Sequence, residues 1–370
     1  MKTNVDEWIK DKKAIEKEKI EIENIKKELE GMKEGPDIEK LKVKIKIIIE
    51  HWINKLLIKM GWINEFNNII SRYIMMKYFK HLKSLEGHSK YVCSVKFSSD
   101  CTKIISSSID ETIRIWDIKL GKEIKILRGH LTRVNDAIFS LNGDLIISCS
   151  NDKTIRIWDV KSWKEIRKLE GHSDGIGYIN FSPDQKIIIS GSYDQTIRLW
   201  DLYSGKEIQK INVYPNDINN IQFSPNGQQI ISSSPDNIIR IWDVKSGKIL
   251  YQLFGHSNCV IKSIFSTTGY FIISCSLDHT IRIWNVISKK CIQIFKYTDI
   301  INDIQLFPDN QTIISGSWDK TIQLWDIQLK VQIQILKGHS ACITEVNVSP
   351  DGNTIVSASS DGAIQLWESL

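Results

Sequence analysis

None of the seven cysteines (Cys93, Cys101, Cys149, Cys259, Cys275, Cys291 and Cys342) forms a CxxC pair, and their number is odd. That argues against a zinc site and against a disulfide framework, and it reads the thiols as small apolar side chains in a reducing compartment. The opening stretch MKTNVDEWIKDKK is charged and has no apolar core, so no secretory leader is expected. No run approaches the ~18 uncharged apolar residues that a membrane-spanning helix needs. A soluble, intracellular and specifically cytoplasmic protein is the expectation. GxSxG elbows, GxxxxGK[ST] loops, HExxH helices and EF-hand loops are all missing, so no catalytic residue, metal or cofactor is predicted. A net charge of +5 is small for 370 residues and gives no ground to expect a nucleic-acid partner.

What the chain does contain is a repeat. RIWD-like segments centre on Trp116, Trp158, Trp200, Trp242, Trp284, Trp325 and Trp367, at spacings of 42, 42, 42, 42, 41 and 42. Each unit reads alike. A Gly-His pair precedes an alternating apolar run such as VCSVKFS, then a turn such as SPDQ or SPNG, then an IISSS-like run, an Asp turn, TIRIWD, and a KEIKIL-like run. Four short runs rich in Ile and Val, punctuated by Gly, Pro, Asn, Asp and Ser, predict four strands per unit.

Residues 82–370 therefore resemble the WD-repeat family. The resemblance implies an all-β, seven-bladed propeller, here with an α-helical or coiled-coil N-terminal extension. The seventh unit stops after its third strand, while residues 82–86 match the fourth-strand runs EIKIL and EIRKL. Those residues are expected to pair beside the Trp367 strand and close the ring, because an open ring would expose unpaired edges.

Ser, His and Asp recur together in a way that suggests a hydrolase. The sets are His88, Ser106, Asp110 and Trp116; His130, Ser148, Asp152 and Trp158; His172, Ser190, Asp194 and Trp200; His256, Ser274, Asp278 and Trp284; and His339, Ser357, Asp361 and Trp367. Ser232, Asp236 and Trp242, and Ser315, Asp319 and Trp325, form two further sets without the histidine. The family resemblance makes these structural tetrads, in which linked hydrogen bonds satisfy a buried indole and a buried carboxylate. One catalytic set would suffice for an enzyme; five equivalent copies read as architecture.

Where the repeat fails, specificity is expected. Tyr214 and Thr298 stand at the histidine positions of units four and six. Immediately before the turn Asp stand Ile109, Asn151, Tyr193, Pro235, Leu277, Trp318 and Ser360. Tyr193, Leu277 and Trp318, with Tyr214 and Tyr297 in nearby loops, form the predicted partner-binding patch. Trp163 replaces a residue of the usual Ser-Gly turn on the opposite face.

Residues 1–36 are dense in Lys and Glu. Trp8, Ile15, Ile22 and Leu29 fall seven apart, with Ile25 and Met32 beside them. That pattern reads as a short coiled coil seeking a helical partner over residues 5–33, or as a solvated helix. Gly35 and Pro36 end it. Residues 37–81 read as an amphipathic helical segment that packs on protein or lies on a membrane surface.

The function expected is a non-catalytic scaffold or adaptor that binds proteins or peptides. Two alternatives stand beside it. A helix ahead of seven blades is similar in layout to G-protein β subunits, which implies a regulatory signalling subunit. The segments WDIK and WDVK approximate the WDxR ending through which some family members serve as cullin-ligase substrate receptors, with Lys in place of the forked Arg.

Overall fold

The computed structural model describes residues 76–213 and 217–370. The segments assigned above to a coiled coil and to most of an amphipathic helix lie outside these residues, as does Tyr214. The described residues form seven four-stranded antiparallel sheets, each an up-and-down meander. In blade one the strands run Val92–Phe97, Lys103–Ser108, Thr112–Asp117 and Lys122–Arg128, from the innermost to the outermost. The innermost strands of consecutive blades neighbour one another all the way round, with that of blade seven against that of blade one.

Burial follows the repeat. The second strands read IISSS-like and are buried on both faces, as in Lys103–Ser108, where every residue after the first is buried. The outermost strands alternate charged and apolar residues and keep one buried leucine or its equivalent, such as Leu127. The core is correspondingly divided into layers between blades. Trp158 of blade two, for instance, packs with Ile105, Ile113 and Ile115 of blade one.

The ring closes as the sequence implies, with a longer closing strand. Phe79–Leu85 pairs antiparallel to Ile364–Ser369, from Phe79 opposite Ser369 to Leu85 opposite Ile364. Phe79 to His81, expected at the end of a helical segment, belong to this strand. The reason is Phe79 itself, which is 2% exposed and packs against Phe307 with ring centroids 5.7 Å apart. Its backbone N–H and carbonyl are both bonded to the Gln334 side chain.

Truncating Phe79 to Ala should cost about 3–5 kcal/mol, the range for large aromatic-to-alanine changes in a core. Lys80→Ala on the same strand should stay within about 0.5 kcal/mol, as exposed substitutions do. Denaturant titration of both variants checks the pair.

Candidate functional site

In five blades the buried polar set is complete. In blade three Trp200 Nε1 donates to Ser190 Oγ at 2.9 Å, His172 Nε2 lies 2.7 Å from the same oxygen, and His172 Nδ1 lies 2.8 Å from Asp194. An ionised Asp only accepts, so Nδ1 carries the proton and Nε2 accepts from the serine hydroxyl. The sets at His88, His130, His256 and His339 repeat this chain. All five serines are fully buried. Their hydroxyls are already engaged with indole and imidazole, which leaves no accessible nucleophile in these sets.

The sequence reading did not include two members of this network. Thr112, Thr154, Thr196 and Thr280 donate both backbone N–H and hydroxyl to the turn Asp of their blades. The Gly of Gly-His is the second. A Cβ at Gly87, Gly129, Gly171 or Gly255 would sit 2.9 Å from Cη2 of its blade's tryptophan. Only glycine lets the chain pass so close over the indole.

Burial alone would raise the pKa of Asp110, Asp152 and Asp278, yet the hydrogen bonds from histidine and threonine hold them far below the usual carboxylate range. Asp194 is likewise held at about 2. For His130 and His172 burial dominates over the neighbouring Asp and lowers the imidazole pKa; the same holds for His339.

Blades four and six solve the missing histidine differently. In blade four Trp242 still donates to Ser232 at 2.8 Å, and Asp236 is taken by the Arg240 guanidinium. In blade six the role falls to Tyr297, the residue before Thr298. Its hydroxyl lies 2.5 Å from Ser315 Oγ and its ring lies against Trp325 with centroids 5.2 Å apart. The Trp325 indole N–H is left without a well-directed acceptor. Tyr297, expected to face a partner, is therefore turned inward, because a side chain at this position has the indole and the serine within reach.

The innermost strands line a central channel of about 330 Å³. Ser94, Asp136, Tyr178, Asn220, Lys262, Asp303 and Glu345 occupy equivalent positions, one per blade. Lys96 bonds Asp136 at 2.5 Å and lies 4.0 Å from Glu345; Lys262 bonds Asp303 at 2.6 Å. The acids also stitch blades together. Glu345 accepts from Val95 N–H of the next blade at 2.7 Å, and Asp303 accepts from Val346 N–H at 3.0 Å. Burial pushes the Glu345 carboxyl up to about 7 against the pull of Lys96, with Asp303 adding to the rise. Among the described residues no group of three His, Cys, Asp or Glu side chains is arranged to hold a metal.

The predicted patch thus divides. Tyr193 stands at the channel mouth, 38% exposed, its ring over Gly175 and Gly177. Trp318 is 49% exposed and donates its indole N–H to Asn302 at 2.7 Å, which fixes the ring while leaving a face to solvent. Leu277 is half-buried, as is Trp163, which packs on the layer between blades one and two. All seven cysteines are unpaired thiols. No helix among the described residues is long and apolar enough to cross a membrane.

Comparison with known proteins matches residues 117–368 to the family model described as "IFT122 first beta-propeller" and residues 79–117 to "WD domain, G-beta repeat". Pre-mRNA-processing factor 17 of Saccharomyces cerevisiae is 35% identical over 43 residues, 12% of this chain and 10% of that protein. The similarity to that relative thus spans about one blade's length.

Two outcomes are expected. Tyr297→Phe should cost about 1 kcal/mol, and a double-mutant cycle with Ser315→Ala should assign most of it to that pair. Melting temperature should fall as pH drops below about 6.5, because unfolding lets His130, His172 and His339 take up protons that the folded state resists. Glu345 works the other way. Its raised pKa costs nothing below its ordinary value of 4.5 and costs fully above about 7. Glu345→Gln should therefore gain in relative stability above pH 7 and fall more steeply than wild type on acidification.

Proposed function

The chain belongs to the WD-repeat propeller family whose model is described as the IFT122 first beta-propeller, and from that premise we propose that it is a non-catalytic scaffold that holds proteins or peptides across the channel mouth. The observation that carries this is the contrast between two kinds of side chain. The repeated Ser, His and Asp are buried and engaged with one another, whereas Tyr193 and Trp318 break the repeat, stay exposed and are held in place from beneath. Rigid aromatics that present a face to solvent anchor protein interfaces at low entropic cost. Seven unpaired thiols support a reducing, cytoplasmic setting. The short match to pre-mRNA-processing factor 17 supports the repeat and brings no partner with it.

Affinity purification from the source cell, followed by mass spectrometry, should recover partners with wild-type bait and lose them with the Tyr193→Ala/Trp318→Ala double variant. Both side chains are exposed, so the variant should keep its melting temperature. Full retention of every partner by a folded double variant would rule out this surface.

A further inference from the structure

The opposite face carries a second pattern. In blades one to five each turn between the third and the outermost strand opens on Asp or Asn and ends on Lys. Lys80, Lys122, Lys164, Lys206, Lys248 and Lys290 occupy equivalent positions at or near the start of the outermost strands of six blades. The identical period places them on one rim of the ring. Lys119, Lys161, Lys245 and Lys289 add further cations within the turns.

The acids of these turns offset them only in part, nine lysines standing against four aspartates in the turns of blades one to five. Asp117, Asp159, Asp201 and Asp243 each fold back to accept a backbone N–H of their own turn. In blade five the position is Asn285, which makes the same bond without charge. Glu123, Glu165 and Glu207 pair with Arg114, Arg156 and Arg198. Of the six rim lysines only Lys80 forms an ion pair among the described residues, with Glu368. Deeper on the same face Asp100, Asp184, Asp309 and Asp351 are likewise bonded within their own turns.

Large apolar side chains stand among the lysines. Leu120 is 67%, Tyr203 70% and Ile287 80% exposed. Each lies on one of these turns, where a solvated hairpin has no need of it. The cations in the turns are all lysine, a compact point charge without the planar fork that reads base edges, and the apolar tips among them favour a bilayer over nucleic acid. Coplanar lysines interleaved with protruding Leu, Tyr and Ile fit a bilayer, with cations at the headgroups and apolar tips below them.

We propose that this face docks the propeller on an anionic phospholipid bilayer, leaving the channel mouth turned away and free to hold a partner. The docking is independent of the protein-binding reading above and goes beyond it.

Sedimentation of the full chain with vesicles of phosphatidylcholine containing phosphatidylserine, against phosphatidylcholine alone, tests it. Wild type should bind the former only, and less at high salt. Lys161→Glu/Lys245→Glu/Lys290→Glu should weaken binding by more than about tenfold, taking roughly fivefold or more per charge near the surface. Leu120→Ser/Tyr203→Ser/Ile287→Ser should weaken it separately. Both triple variants alter exposed positions, so unchanged melting curves are expected. Tyr193→Ala/Trp318→Ala should bind vesicles as wild type does while losing partners, which separates the two readings. Absence of vesicle binding overturns the proposal. So does charge reversal without effect, which would assign the membrane to residues outside this face. Lysine-dependent binding of a single-stranded RNA oligonucleotide in place of vesicles overturns it as well.

Discussion

The pairing of Phe79–Leu85 with Ile364–Ser369 supports the rest of the molecule. Every blade packs its innermost strand against two neighbours, so all seven layers between blades are present only in a complete circle. A gap at one joint would expose strand edges and strip one face of apolar cover from two blades at once. Phe79, closing that joint from the N-terminal side, does in one residue what the repeats do elsewhere by repetition.

Inside that circle the polar chemistry is largely consumed by the fold. The indole–serine–histidine–aspartate chains satisfy groups that would be costly to bury alone, and the channel acids accept N–H groups from the following blade. Blade six shows how much latitude this leaves. Tyr297 replaces an imidazole with a phenol and an indole loses its acceptor, yet the strands of that blade keep their register. Five blades with complete sets constrain it. Such redundancy frees individual blades to change at their loops, which is where Tyr193 and Trp318 appear.

The period of the tryptophans carried the blade count, the order of strands and the closing pair, because each depends on patterns that recur every 42 residues. The tetrads were legible for the same reason. Less legible was anything decided by a single distance. The missing residue in unit six hides the substitution: counted from the preceding unit Thr298 takes the histidine's place, but counted back from Ser315 by the 18 residues of every His–Ser pair the place is Tyr297's. Sequence also could not tell that Trp163 would fold onto the core and Trp318 would not; both are turn tryptophans, and what separates them is whether Asn302 or an apolar layer lies beneath. The bulk charge of +5 similarly concealed a local excess, because a chain total averages over both faces while the lysines of one rim outnumber the aspartates of the same turns.

The closing strand also sets an order of events in time. Phe79–Leu85 is made early and its partner Ile364–Ser369 last, so during synthesis at about 5–20 residues per second the strand waits on the order of 15–60 s. Meanwhile Phe79, destined for the interior among residues of blades six and seven, has no native surface to cover it. Blades one to six can form hairpin by hairpin from local contacts, but the last joint spans nearly the whole propeller sequence, a slow kind of contact to make. The residue that secures the finished ring is thus the one longest exposed to a wrong neighbour, and a nascent chain of this design gains from anything that shields it until the seventh blade arrives.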